Sequence, residues 1–497
     1  MMKPNKQNIV FIWITLSAAL FLSVTIGLQL LGDKFLRGAD AYYYALQALS
    51  WFDTGEVRIP DSNIIHRITG MFQYLGLNAE TSLKLWISVS YFLFLSSFIL
   101  LLKDFKSKLF AALIFAWAAL SPSILFICIE LPKTFLFLTF FNLAFYFLKK
   151  VKINFFILLP FLFICLLIHK MALLYIAVIC VYLFIRNRFD SKKIFIALAA
   201  GLFFAAIYKF LIIDHFHAAD ILRLQSANFI PGVISLFLNA ALLPAMKAEF
   251  VASAVFAVFL FYAPKSNLKN ILLPLLLMLT AFIPAMGREP LSLGGRFGLL
   301  LPYLFILSSV YLLEAISTKT LKSFQLIFIY AVVIIAGFFH LDYSYPQNHR
   351  VKTYEEYEKL ISQMRGKDIP MLVAHKNFHY YYKYKTGKEA FSYEPEKHWD
   401  KKRVWRLVHG ITPEEIFFYM PEYSSWDDEY IRQFHGLYYA LIREDCYFDI
   451  RKAVQEEKNQ ELYHTLWDNE INPSSPRPAF LYKKHKKDKE SEFQAVF

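Results

Sequence analysis

The feature that most constrains this chain is a repeated apolar run. From Ile9 to His340, stretches of roughly 16 to 24 mostly apolar residues recur, each bounded by a short polar cluster. At 1.5 Å per helical residue, such a stretch crosses a hydrocarbon core about 30 Å thick. Composition agrees: 57% of the 497 residues are hydrophobic and 19% are charged, too apolar for an ordinary soluble protein of this size. The first run, Ile9 to Leu31, is longer than the h-region of about 7–15 residues in a cleavable signal. It also lacks a small-residue cleavage site, so it reads as a retained anchor.

Charge is unevenly shared. Residues 1–340 hold 28 Lys and Arg against 14 Asp and Glu, whereas residues 341–497 hold 25 against 26. The basic excess sits in clusters between apolar runs, such as Lys103/Lys106/Lys108, Lys149/Lys150/Lys152 and Arg186/Arg188/Lys192/Lys193. These read as positive-inside anchors and not as a nucleic-acid surface. Four cysteines without CxxC spacing give no zinc site and no disulfide framework.

Placing the basic clusters on the cytoplasmic side predicts eleven spans: 8–31, 85–102, 109–127, 134–148, 153–168, 171–185, 194–213, 248–264, 270–286, 297–315 and 322–340. The apolar segment 229–246, interrupted by Pro231, Gly232, Asn239 and Pro244, reads as a re-entrant or interfacial piece. The fold class expected is therefore an α-helical polytopic membrane protein. Residues 1–340 form the transmembrane domain, with a first extracytoplasmic loop at 32–84. Residues 341–497 form a small soluble α/β or α+β domain outside the cytoplasm. In it, helices are predicted near Thr353–Arg365 and Asp427–Ile442, and strands at Met371–His375, Arg403–Val408 and Pro478–Lys483. The terminal "KKHKKDKESE" reads as a solvated tail.

This topology gathers Asp33, Asp40, Asp53, Glu56, Asp61, His66, Arg67, Glu130, Lys133, His169, Lys170, Arg288, Glu289 and Arg296 on the outer face. Basic residues on the face that the positive-inside rule disfavours point to an anionic head group or phosphate. In "GADAYYYALQALSWFDTG", Tyr42, Leu46, Leu49 and Phe52 recur at helical spacing. They predict an amphipathic helix lying along the outer interface, with its tyrosines, Tyr43 and Tyr44 included, at head-group depth. Asp40 stands at the N-terminus of that helix, where capping and catalysis are both open to it.

The order apolar helix, Asp40, "YYYALQA" helix, "GEVRIP", then "NIIHRITGMFQYLGLNAETSLKLWISVS" resembles the first extracytoplasmic loop of polytopic GT-C glycosyltransferases. That superfamily includes protein O-mannosyltransferases and the aminoarabinose transferases of lipid A. "LSPSILFICIELPKTFLFLTFFNLAFYFLKK" resembles the family's third and fourth spans, with an acid at their outer turn. "LIHKMALLYIAVICVYL" resembles its "TKPTALL" segment, and "GGRFGLLLPYLFILSSVYL" its "RYLLP" span.

The resemblance implies transfer of a sugar from a polyprenyl-phosphate donor to an extracytoplasmic lipid, glycan or protein acceptor, with inversion at the anomeric carbon. It implies that Asp40 is the general base and that Glu130 is the family's second acid, orienting the acceptor or binding a divalent ion. A loop ion pair with Lys133 is the alternative for Glu130. Cations facing the departing phosphate would be Arg67, Lys133, Lys170, Arg288 and Arg296, with Arg296 at the "RY" position and Lys170 as the match in "HKMA". His66–Arg67 departs from the family's "HPP" turn, so His66 carries no assigned role. His169–Lys170 reads either as a phosphate contact or as an interfacial snorkelling pair, and Glu289 as part of a local salt bridge. A Mg²⁺ or Mn²⁺ ion shared by Asp40 and Glu130 is left open.

Three other functions compete: a flippase for a lipid-linked sugar, a glycan polymerase or ligase, and a membrane scaffold. Transporters place polar groups in broken helices at the bilayer midplane, whereas here the ionisable groups collect at one face. The location implied is an integral, multi-pass protein of a bacterial inner membrane or its equivalent.

Overall fold

The computed structural model describes residues 6–38, 40–57, 64–105, 107–149, 155–169, 171–185, 227–231, 233–234, 244–262, 268–286 and 293–312. Beyond these it describes 354–355, 357–358, 361–362, 371–374, 376–388, 390–392, 416–421, 479–487 and 490–495. The predicted spans 194–213 and 322–340, and the predicted elements at 403–408 and 427–442, lie outside the described residues. The chain divides into two units, one of residues 1–38 with 61–349 and the other of residues 39–60 with 350–497. The sequence reading keeps residues 32–84 together and divides the chain at 340. In the structure, the segment bearing Asp40 goes with the C-terminal unit.

The first unit is helical. Its elements are α1 (Lys6–Gly32), α3 (Ile64–Gln73), α4 (Ala79–Leu102), α5 (Lys108–Leu120), α6 (Pro122–Glu130), α7 (Pro132–Lys149), α8 (Phe155–Ile168) and α9 (Ala172–Ile185). After these come α10 (Pro244–Tyr262), α11 (Leu268–Thr280), α12 (Leu293–Leu299) and α13 (Leu301–Leu312), with a ribbon of β1 (Ala227–Pro231) antiparallel to β2 (Pro284–Met286). Among the described residues, two helices, α1 from Gln7 onward and α4, are long and apolar enough to cross a bilayer, and the bent pair α5–α6 makes a third if it counts as one span. Several shorter apolar helices accompany them.

The predicted single span 109–127 is broken at Ser121–Pro122. Proline disfavours helical backbone in the residue before it, and Ser121 is extended at φ −62°, ψ 116°. The helix therefore stops at Leu120 and restarts with a 45° bend. Pro122 lies in the first turn, and the Ser121 hydroxyl accepts the Ile124 amide at 3.1 Å. The start of α4 is capped in the same manner: Asn78 Oδ1 accepts the Thr81 amide at 2.8 Å.

Interhelical contacts fix which helix ends lie together. The α1–α4 pair closes tightly because Gly27 carries no side chain where Ser88 passes, and Ser88 Oγ donates to the Ser23 carbonyl at 2.6 Å. Lys84 near the start of α4 donates to the Asp33 carbonyl just after α1, at 2.6 Å. The Cys128 thiol near the end of α6 donates to the Ile87 carbonyl of α4 at 3.7 Å. Thr134 at the start of α7 meets His169 after α8 at 3.3 Å. The end of α1 and the starts of α4, α7 and α9 therefore share one end of the bundle with the α6–α7 turn. Deeper in, Asn142 donates to Ser97 Oγ at 3.0 Å and accepts from the Tyr303 hydroxyl at 2.8 Å, joining α4, α7 and α13. The Phe94 and Phe135 rings pack 4.8 Å apart.

The second unit contains α2 (Ala41–Thr54), helical turns within 354–362, and α14 (Lys376–Thr386). Its strands are β3 (Met371–Ala374), β4 (Ala390–Ser392), β5 (Ile416–Pro421), β6 (Ala479–Lys487) and β7 (Glu490–Ala495), in the order β4-β3-β5-β6-β7. Strand β3 pairs in parallel with β4 and β5, while β5, β6 and β7 pair antiparallel. A parallel neighbour needs a crossover, and α14 supplies it between β3 and β4. Gly387, at φ +68°, ends that helix, its N–H donating to the Lys383 carbonyl at 2.9 Å. The terminal "KKHKKDKESE", read as a solvated tail, falls on β6 and β7.

Candidate functional site

Helix α2 carries the acid singled out by the sequence. Asp40 holds the N-cap position, its carbonyl accepting the Tyr44 amide at 3.1 Å. No first-turn amide donates to its side chain. Side-chain capping goes with an extended backbone at the cap residue, and Asp40 sits instead at φ −105°, ψ 19°. Of the two sequence readings, carboxylate capping is the one this geometry removes. Asp40 is partly exposed, and it shares a helix face with Tyr43 and Gln47 at spacings of three and four. Gln47, fully buried, donates to the Tyr43 hydroxyl at 3.2 Å.

The tyrosines that follow Asp40 are covered by protein, not laid out at a head-group layer. Tyr42 is 2% exposed, and its ring lies 4.7 Å from Tyr381, 5.0 Å from Tyr354 and 5.5 Å from Tyr384. Tyr43 packs 5.1 Å from Tyr380 and Tyr44 is buried beside it. Tyr381, fully buried, donates its hydroxyl to Glu358 at 3.2 Å. The run "YYY" at 42–44 thus meets a second run, "YYYKY" at 380–384. Such rings pack through edge and tilted contacts worth about 0.5–1.5 kcal/mol each beyond their buried area.

In the first unit, Glu130 ends α6, buried, and Lys133 lies half-buried in the first turn of α7. Beside that turn stands His169. Its Nδ1 accepts the Met171 amide at 3.0 Å, so its ring proton is on Nε2, which faces the Thr134 hydroxyl at 3.3 Å. His169 is 5% exposed, which rules out the snorkelling role for it. From His169 an aromatic chain runs through Phe137 (6.1 Å) and Tyr175 (5.7 Å) to Phe297 (6.1 Å). Arg296, half-buried, precedes Phe297 on α12. The bundle thus links the α6–α7 turn, His169 and the helix bearing Arg296. On α3, Arg67 is exposed and His66 fully buried. Asp33 pairs with Arg37. Lys170, Arg288 and Glu289 lie outside the described residues.

Among the described residues, no three His, Cys, Asp or Glu side chains gather into a group able to hold a metal ion. Asp40 and Glu130, the two acids that could share a divalent ion, belong to different units. No protein-family model matches this chain, and no curated protein matches it.

One acid escaped the sequence reading. Glu249 falls at the start of the predicted span 248–264 without an assigned role; in the structure it is 1% exposed on α10, accepting from Trp117 Nε1 at 3.0 Å and from the Ser123 amide at 3.1 Å. The signal available was a lone acid opening the apolar stretch "EFVASAVFAVFLF".

Proposed function

We propose that this chain is a multi-pass membrane glycosyltransferase of the GT-C kind, carrying about eleven spans and an extracytoplasmic C-terminal domain. It transfers a sugar from a polyprenyl-phosphate donor to a lipid, glycan or protein acceptor. Asp40 takes the acceptor proton as the new glycosidic bond forms, and the lipid phosphate departs from the opposite face of the sugar with the bonding electron pair. Lys133 and Arg296 stabilise the charge growing on that phosphate, joined by Arg67, Lys170 and Arg288. Glu130 orients the acceptor.

The observation that supports this reading best is the clustering at one bundle end. Glu130 and Lys133 flank the α6–α7 turn, Thr134 beside them reaches His169 at the end where α1 finishes and α4 begins, and the aromatic chain leads from there to Phe297, the neighbour of Arg296. A one-sided collection of acid and cations suits a reaction on an outward-facing lipid head group. A second reading, a flippase for the same lipid-linked sugar, gains from the broken α5–α6 helix, a device transporters use. Here, however, the amide at the restart of that helix is already occupied by Glu249.

The experiment is intact-mass profiling of envelope lipids and glycans in the encoding organism, with the chain deleted and then restored. A transferase predicts loss of one glycosyl mass increment and accumulation of the lipid-linked sugar on the outer leaflet. Accumulation on the inner leaflet would contradict transfer and favour translocation.

A further inference from the structure

We infer that Glu249 is a positioning residue for Glu130, acting through the half-helix α6; this rests on the role given to Glu130 above. The start of α6 has a complete hydrogen-bond account. Pro122 has no N–H. The Ser123 amide donates to Glu249 Oε2 at 3.1 Å, the Ile124 amide to the Ser121 hydroxyl at 3.1 Å, and the Leu125 amide to the Ser121 carbonyl at 3.0 Å. The other oxygen of Glu249 accepts from Trp117 at 3.0 Å. One carboxylate thus bridges the last turn of α5 and the first turn of α6 across the 45° bend, facing the positive end of the α6 dipole.

The two oxygens face the Trp117 ring N–H and the Ser123 amide, with the Ser121 and Ser123 side chains also against them, which is why a carboxylate suits the position. A glutamine offers one oxygen and would point an N–H at one of the donors. Glu130 is the last residue of the same nine-residue helix, about 10 Å beyond the Ser123 amide at 1.5 Å per residue. A tilt of about 10° at the bend moves that far end by about 2 Å, and a displacement of about 1 Å suffices to cost on the order of 100-fold in rate. The opposite end of α6 rests on α4 through Cys128, whose thiol reports whether the helix has stayed in place.

The test uses the full chain in membranes, with either Cys128 or Cys165 as the sole cysteine, and N-ethylmaleimide as probe. Both thiols are fully buried, one on α6 and the other on α8. Glu249→Gln is expected to raise labelling of Cys128 on the order of tenfold and leave Cys165 unchanged. Adding Trp117→Phe removes the donor that the glutamine cannot satisfy, and labelling returns toward the wild-type rate. Unchanged labelling of Cys128, an equal rise at both thiols, or a double variant worse than Glu249→Gln would each overturn the inference. The glycosyl increment is followed in parallel, and Glu249→Gln is expected to lower it as Glu130→Gln does. If the wild-type chain restores no increment, the transferase reading fails while the thiol pattern still decides whether Glu249 holds α6. A Glu249→Gln chain that moves α6 yet retains full transfer would overturn the link to Glu130.

Discussion

Tyr42 of α2 and Tyr381 of α14 meet edge to face, their ring centroids 4.7 Å apart and their planes at 89°. The contact ties the helix that begins at Asp40 to a helix more than three hundred residues later. Burying both rings almost completely makes the pair a core contact of the second unit. Tyr42→Ala is therefore expected to destabilise this unit by about 3 kcal/mol, the cost of emptying an aromatic core position. Tyr42→Phe, which keeps the ring, retains most of that stability. Thermal unfolding of the full chain in detergent, with protease sensitivity of the second unit as a second readout, checks both.

Gly27 sets the approach of α1 to α4. A Cβ there would stand 2.8 Å from Ser88 Oγ and 3.1 Å from Ser88 Cβ. Gly27→Ala is expected to cost about 1–3 kcal/mol through overpacking, and Ser88→Ala in the same chain recovers part of it. A Gly27→Ala chain as stable as the wild type would show that α1 does not pack on α4 in this way.

Asn142 stands between Ser97 and Tyr303, donating to one and accepting from the other. Asn142→Ala leaves the Tyr303 hydroxyl buried without that acceptor, at a cost of about 1–3 kcal/mol. Tyr303→Phe in the Asn142→Ala background is expected to cost less than in the wild type. A double-mutant cycle on unfolding midpoints measures the coupling, about 1 kcal/mol if the pair acts together.

In the proposed transfer, Lys133 and Arg296 face the departing phosphate. Replacing either by Ala is expected to slow transfer about 10- to 100-fold while leaving the chain folded, by loss of charge stabilisation at the leaving group. Arg296→Lys keeps the charge and loses the planar fork, so it falls between. Initial rates over a range of donor concentrations check this, and full activity in Arg296→Ala removes that residue from the site.

Much of the helical plan is legible in the sequence because bilayer-length apolar runs leave few alternatives. Six of the predicted segments overlap α1, α4, α7, α8, α9 and α10, and of these α1 and α4 are long and apolar enough to cross a bilayer. The break at Ser121–Pro122 was signalled by proline and a capping serine, but the apolar residues on either side concealed it. Local patterning also found α2, β3 and β6. It could not find the partner of the tyrosine run, since that contact joins segments far apart in the chain and both runs look equally suited to an interface. Glu249 was hidden for a related reason: its donors, Trp117 and the Ser123 amide, lie over a hundred residues earlier. The one-sided gathering of Glu130, Lys133 and His169 was legible from topology, whereas the burial of His66 and His169 was not.

The proposed reaction depends on the carboxylate of Asp40, and the measurement that tests it most directly compares wild type and Asp40→Asn at equal membrane levels for restoration of the glycosyl increment. Loss of a general base predicts a fall of about 100- to 10,000-fold in transfer rate with the fold intact. An Asp40→Asn chain that transfers sugar at the wild-type rate would contradict it.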